Sequence, residues 1–311
     1  YGQDIACEAA AARIRALCNN PDLDVHFLVG GTQTNLTVIA AALRPHQAVL
    51  GVQTAHVNVH ETGSIEATGH KVVALPSADG KITAQQIENA AMEQLADESA
   101  EHVAQLKLVY ISDSTELGTV YTLAELEAIS AVCKKYGFYL FVDGARLSYA
   151  LTVRGSDVTL ADLARLCDVF YIGGTKCGAM FGEAVVIPRK GLIPHFFTTI
   201  KQQGALLAKG RMLGIQFDTL FTDDLYITIA RQAVSEASRL REAFRAKGYE
   251  IYAESPTNQL FVALTAEQEA HLRTLVTFSE WERTADGRLV VRLATSWATR
   301  SEDVDEVIEK L

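Results

Sequence analysis

"DVFYIGGTKCGAMFGEAVVIPR", Asp168 to Arg189, holds two apolar runs separated by a glycine-rich turn that carries a lone lysine, Lys176. Both runs are β-branched and aromatic and are bounded by glycine, which predicts two buried strands with Lys176 in the tight turn between them. Gly173, Gly174 and Gly178 let other backbone or a ligand come close to that turn. A solvated surface lysine is the alternative, but it would not need such surroundings.

Outward from this stretch, short strand-like runs alternate with amphipathic stretches between residue 25 and about residue 190. They are "VHFLV", "AVLGV", "KVVAL", "KLVYIS" and "FYLFVD". With the two runs above they predict a mostly parallel α/β sheet between helices. "TLAELEAISAVCKKYG" starts at a threonine cap, repeats apolar residues at helical spacing and stops at Gly137, so it reads as a helix between two strands. A long amphipathic segment, Ile227 to Lys247, leads to strands "YEIYAES" and "QLFVAL", then a helix. Next comes the run "VTFSEWERTADGRLVVRLAT", whose Asp286-Gly287 pair is a hairpin signal, and the chain closes on "SEDVDEVIEKL". This predicts a large domain over 1–225 and a smaller α/β domain over 226–311.

The composition, 49% hydrophobic and 21% charged over 311 residues, is that of a globular protein. A formal net charge of -10 and the lack of clustered Lys and Arg argue against a nucleic acid as partner and for a small molecule. Cys7, Cys18, Cys133, Cys167 and Cys177 show no CxxC spacing, which fits a reducing, cytoplasmic setting better than a disulfide framework or zinc site. No apolar run approaches the roughly 18 residues of a membrane span. Because the chain opens at Tyr1 directly in a helix-like pattern, an upstream segment is expected.

"FYLFVDGAR" puts Asp143 at the carboxyl end of a buried strand, where open α/β sheets bind ligands. A helix cap or an ion pair with Arg146 would also explain it. Lys176 follows the end of a second strand, so an acid and an amine can meet in one pocket. That pair suits pyridoxal phosphate, whose pyridine nitrogen needs a carboxylate and whose aldehyde needs a lysine. A phosphate cradle is available in "FLVGGTQTNLTVIAAAL", where Gly30, Gly31, Thr32 and Gln33 open a helix with free backbone donors. A plain strand-to-helix turn would look the same. Neither a Walker loop nor a GxGxxG fingerprint is present.

"TAHVNVHETGSIEATGH" contributes His56, His60, Glu61 and His70 without metal-ligand spacing. An imidazole stacked on a cofactor ring and able to move a proton suits His56, whereas His60 and His70 read equally as hydrogen-bonded loop histidines. Arg292 in "RLVVRLATSW" sits among strand residues and needs an anion, either a substrate carboxylate or a cross-strand Glu280 or Glu282.

In this order, the residues resemble the threonine aldolase and aromatic amino acid beta-eliminating lyase family of fold-type I pyridoxal phosphate enzymes. The resemblance runs through "YGQD" at Tyr1, "GGTQTN" at Gly31, Thr32 and Asn35, "AHVNVHE" with His56 and Glu61, "DGAR" at Asp143 and Arg146, Lys176, and "VVRLAT" at Arg292. It implies that Asp143 holds the pyridine nitrogen, Lys176 forms the Schiff base and His56 stacks on the ring. It also implies that Gly31, Thr32, Gln33 and Thr175 contact the cofactor and that Arg146 and Arg292 bind the substrate carboxylate. Where aldolases carry a histidine in an "ENTH" run, this chain reads "DSTELG", so Glu116 takes that place beside Lys176 and His56 as a catalytic candidate. The expected reaction is cleavage of a β-hydroxy-α-amino acid to glycine and an aldehyde, with His56 as the base. β-Elimination, transamination and a non-catalytic binding protein are the alternatives. A homodimer or homotetramer with shared active sites is implied, with Lys201, Lys209 and Arg211 as phosphate contacts, some across the interface; a solvated helix face would equally explain these three.

Overall fold

Each apolar run named above becomes a strand. The computed structural model describes all 311 residues. The strands of the larger sheet are β1 (Asp24–Leu28), β2 (Gln47–Val52), β3 (Val72–Leu75), β4 (Gln105–Ser112), β5 (Tyr139–Asp143), β6 (Val169–Gly173) and β7 (Glu183–Ile187). They lie in the order β1-β7-β6-β5-β4-β2-β3. The core strands β2 to β6 pair in parallel, and β7 runs antiparallel to both of its neighbours. The reversal follows from length: the Lys176 turn is too short for the crossover that a parallel connection requires. In consequence the carboxyl ends of β4, β5 and β6 open side by side.

Four further strands, β8 (Glu250–Ala253), β9 (Gln259–Leu264), β10 (Ser279–Arg283) and β11 (Leu289–Ala294), form a second, antiparallel sheet in the order β10-β11-β9-β8. Asp286-Gly287 turns the β10–β11 hairpin as expected, with Gly287 at φ 85°. The helix Leu123–Tyr136 carries a full capping box between Thr122 and Glu125 and ends at Gly137, which adopts φ 68°. That positive φ is why a glycine stops it.

The larger sheet and its helices enclose one apolar cluster, and the smaller sheet encloses another. The helix Leu225–Ala246 serves both, giving Ala230, Ala233 and Val234 to the first and Leu240 and Phe244 to the second. A tight contact also joins the two sheets at the loop after β4. Gly118 there has φ 76°, and a Cβ on it would lie 2.1 Å from Ser255 Oγ. Nearby, Gln259 Nε2 donates to Thr115 O. The segment bearing Glu116 is thereby held between the sheets.

Candidate active site

Asp143, the last residue of β5, is buried and accepts four hydrogen bonds. Its Oδ1 receives Tyr171 Oη at 2.5 Å and Ala145 N at 2.9 Å, and its Oδ2 receives Tyr110 Oη at 2.5 Å and Asn35 Nδ2 at 2.9 Å. Burial alone would push a carboxyl pKa up, but the phenols, the Ala145 amide and Asn35 outweigh it and hold Asp143 below its ordinary value. It is therefore a fixed negative charge. The phenol pKa values of Tyr110 and Tyr171 are driven well up, by burial first and then by the Asp143 charge, so both remain donors.

Lys176 lines the same cleft, along with Gly31, His56, Ser112, Ser114, Glu116, Asp143, Ala145, Arg146 and Tyr171. Burial and the positive field of Arg146 lower the Lys176 pKa, partly opposed by Asp143 and Glu183. A lowered pKa leaves more free amine, the form that attacks a carbonyl. Behind the turn, buried Glu183 accepts from Gly174 N at 3.1 Å, and burial pushes its carboxyl up to about 8. Thr175, expected as a cofactor contact, accepts Gly182 N on its hydroxyl at 3.0 Å, which helps to close the Lys176 turn without using the hydroxyl's own proton.

His56 begins the short helix His56–Val59. Its Nδ1 lies 2.7 Å from Glu61 Oε1, which also accepts Asn35 Nδ2 at 2.7 Å. A buried chain of polar groups thus runs from His56 through Glu61 and Asn35 to Asp143. Burial depresses the His56 pKa, but the Glu61 hydrogen bond and the charges of Asp143 and Glu61 overcome it, and the net direction is up. Glu116 Oε1 accepts Ser112 Oγ at 2.7 Å and the His56 backbone N–H at 3.1 Å. Burial first, then the Asp143 charge, raises the Glu116 pKa against the Ser112 hydrogen bond, which favours the protonated acid.

The helix Gly31–Ala42 starts at Gly30 with no side-chain cap, so its first amides are free. Gly31 faces the cleft, where a Cβ would sit 3.1 Å from Tyr171 Oη. Thr32 and Gln33 follow on the same first turn, although Gln33 Oε1 accepts Val29 N at 3.3 Å. Arg146 and Arg292 are half-buried, and neither forms an ion pair. Glu280, the cross-strand alternative for Arg292, pairs with Arg273 at 2.6 Å. Burial and the nearby Arg146 charge lower the Arg292 pKa. Two unpaired guanidinium groups within each other's field call for an anion.

Sequence reasoning missed Tyr110, Tyr171, Ser112 and Ser114, which reach the site from β4, the loop just after it and β6, and it named Asn35 only within the phosphate-turn motif, not as a donor to Asp143. A hydroxyl every second residue at the end of β4, in "VYISDS", was the available signal. The residues fit pyridoxal phosphate on three observations. An anionic carboxylate and a half-buried amine share one cleft, an uncapped helix start opens beside them, and Ser114 Oγ is buried there without a hydrogen-bond partner.

Fold and site together define a fold-type I pyridoxal phosphate-dependent enzyme. Residues 1–267 match the family model described as beta-eliminating lyase. The chain is 31% identical to a low specificity L-threonine aldolase of Pseudomonas aeruginosa, over 99% of this chain and 87% of that one. A threonine aldolase structure from Leishmania major superposes with a TM-score of 0.95 at 48% identity, covering 99% of this chain and 89% of the other. An aspartate aminotransferase of Thermus thermophilus shares the fold alone, with a TM-score of 0.68 at 17% identity, covering 97% of this chain and 84% of the other. The chain belongs to the beta-eliminating lyase family, and it is a pyridoxal phosphate-dependent lyase. No helix is long and apolar enough to cross a membrane.

Proposed function

We propose that the protein is a threonine aldolase-like carbon-carbon lyase that splits a β-hydroxy-α-amino acid, threonine or a relative, into glycine and an aldehyde. The observation that carries this reading is the meeting of Asp143, held charged by its donors, and Lys176, half-buried with its pKa lowered, in one cleft. The similarity to the Pseudomonas and Leishmania threonine aldolases supports the choice of substrate.

In this reading Lys176 holds the cofactor's aldehyde, and Asp143 holds a proton on its pyridine nitrogen. Gly31, Thr32 and Gln33 present amides to the phosphate, and Thr175 contributes by closing the Lys176 turn. When bound, pyridoxal phosphate supplies an electron sink for the bond that breaks at Cα. Arg146 and Arg292 bind the substrate carboxylate, and that anchoring selects which Cα bond is aligned for cleavage. His56, tied to Glu61 and biased towards its protonated form, stacks on the ring and stabilises negative charge. Glu116 fixes the His56 backbone and, as a neutral acid, can donate a hydrogen bond into the cleft. The base role expected of His56 suits it less, because its pKa is raised and its Nδ1 is engaged.

We further read the chain as a large domain over 1–225 and a small one over 226–311, working as a homodimer or homotetramer with shared sites in the cytoplasm. Exposed Ile5, Met180, Met212 and Ile215, on the packed helices Ile5–Leu17 and Arg211–Leu220 and on the turn after Lys176, support an interface close to the site. Five free, buried cysteines support a reducing compartment.

Product analysis tests the reaction. Glycine plus acetaldehyde from L-threonine supports the proposal. Keto acid plus ammonia would indicate elimination, and amino transfer to an added keto acid would indicate a transaminase; either outcome refutes it.

A further inference from the structure

His60 and His70 read alike in the sequence, and the structure separates them. His70 is buried, with Nδ1 3.1 Å from Gln47 O, so it is a satisfied structural histidine. His60 is exposed, and neither ring nitrogen has a hydrogen-bond partner. It follows the short helix that starts at His56, one turn on and on the same face. The two imidazoles lie 5.6 Å apart. On its other side His60 lies 5.8 Å from the indole of Trp281, which packs edge-on against Phe261 and carries the Arg292 guanidinium at 5.4 Å. His60 therefore stands in line between His56, which lines the cleft, and the indole that carries the Arg292 guanidinium.

We propose that His60 is the base that takes the β-hydroxyl proton of the substrate, and that Trp281 is the positioning residue that holds its ring at the cleft. The inference rests on the aldol reading above. The proton leaves the hydroxyl oxygen for an imidazole nitrogen of His60, and the O–H electron pair becomes the second bond of the aldehyde carbonyl. The Cα–Cβ bond breaks with its pair left on the Cα side, and one proton taken up at Cα completes glycine, so a proton lost from oxygen balances one gained at carbon. The surroundings suit this task. Burial and the fields of His56, Arg292, Arg146 and Lys176 lower the His60 pKa, and no carboxylate is paired with it. His60 is thus unprotonated at neutral pH, and once protonated among cations it sheds the proton readily. His56 has the opposite bias.

The test follows two reactions of the loaded enzyme in parallel, threonine cleavage and exchange of the glycine α-proton with deuterated solvent, since exchange has no hydroxyl proton to remove. His60→Phe keeps an aromatic ring against Trp281 and removes both nitrogens. Cleavage is expected to fall by about 10²- to 10⁴-fold while glycine exchange and the cofactor absorption spectrum stay at the wild-type level. In wild-type protein the NMR titration of the His60 imidazole should coincide with the acidic limb of kcat/KM for cleavage, and added imidazole should restore part of the activity of His60→Ala. Wild-type cleavage by His60→Phe, or equal loss of exchange and cleavage, would overturn the base assignment and leave the aldol reading standing. A wild-type enzyme that exchanges glycine but cleaves no β-hydroxy amino acid would overturn both.

Discussion

Removing the phenols from Asp143 tests how the site keeps its acid charged. Tyr171 and Tyr110 each donate to a different oxygen of this buried carboxylate at 2.5 Å. A hydrogen bond to a charged group contributes about 1.5–3 kcal/mol, and one pKa unit corresponds to about 1.4 kcal/mol. Tyr171→Phe should therefore raise the Asp143 pKa by about one to two units, and the double variant with Tyr110→Phe by about two to four. The sign is definite. A carboxylate held below its ordinary pKa stabilises the fold above the ordinary carboxylate range, and that stabilisation is lost as pH falls through the depressed value. Raising that value moves the loss to higher pH. Cofactor retention after gel filtration across a pH series reads the effect, because a protonated Asp143 no longer pairs with the pyridine nitrogen. We expect the midpoint of cofactor release to rise by about one to two units in Tyr171→Phe and further in the double variant. An unmoved midpoint in the double variant would show that the phenols do not set the charge on Asp143.

Other perturbations probe separate parts of the cleft. Arg292→Leu should raise KM for the amino acid by about ten- to hundredfold through loss of a charge-assisted contact, with the cofactor spectrum unchanged, and an unaltered KM would remove Arg292 from carboxylate binding. Gly144→Ala would put a Cβ 1.9 Å from the Tyr171 carbonyl oxygen. We expect a loss of about 1–3 kcal/mol or more in urea melts, and a variant as stable as wild type would contradict this packing. Glu61→Gln removes the acid that holds a proton on His56, so the NMR titration of that imidazole should move to lower pH. The stability linked to that proton is present at pH below the ordinary histidine pKa and lost as pH rises through the raised one, so the variant should be less stable at mildly acidic pH. A His56 pKa that stays or rises in Glu61→Gln would show that Glu61 is not its partner.

The strand that carries Asp143 and the one that leads into the Lys176 turn were legible because they are short apolar runs closed by glycine, and local chemistry is enough to mark such ends. The Asp286-Gly287 hairpin and the capped helix Leu123–Tyr136 were legible for the same reason. The four-residue helices His56–Val59 and Ser64–Ala67 were not, since they are shorter than the window over which periodicity shows. Nor was the polar chain behind the site: Asn35 meets Glu61 from 26 residues away and Asp143 from 108, a convergence that only the sheet order creates. That the Thr175 hydroxyl also accepts Gly182 N, and so helps to close the turn, was likewise not legible, because the two residues meet only once the turn has folded. The difference between His60 and His70 lies in a carbonyl on β2 and an indole on β10, neither of which is near them in the chain.

Reduction of the cofactor-loaded wild-type protein with borohydride, followed by peptide mapping in the mass spectrometer, tests the central claim most directly. The account predicts the mass of the reduced cofactor on Lys176 and on no other lysine. A protein that carries the label elsewhere, or takes up none, would contradict it.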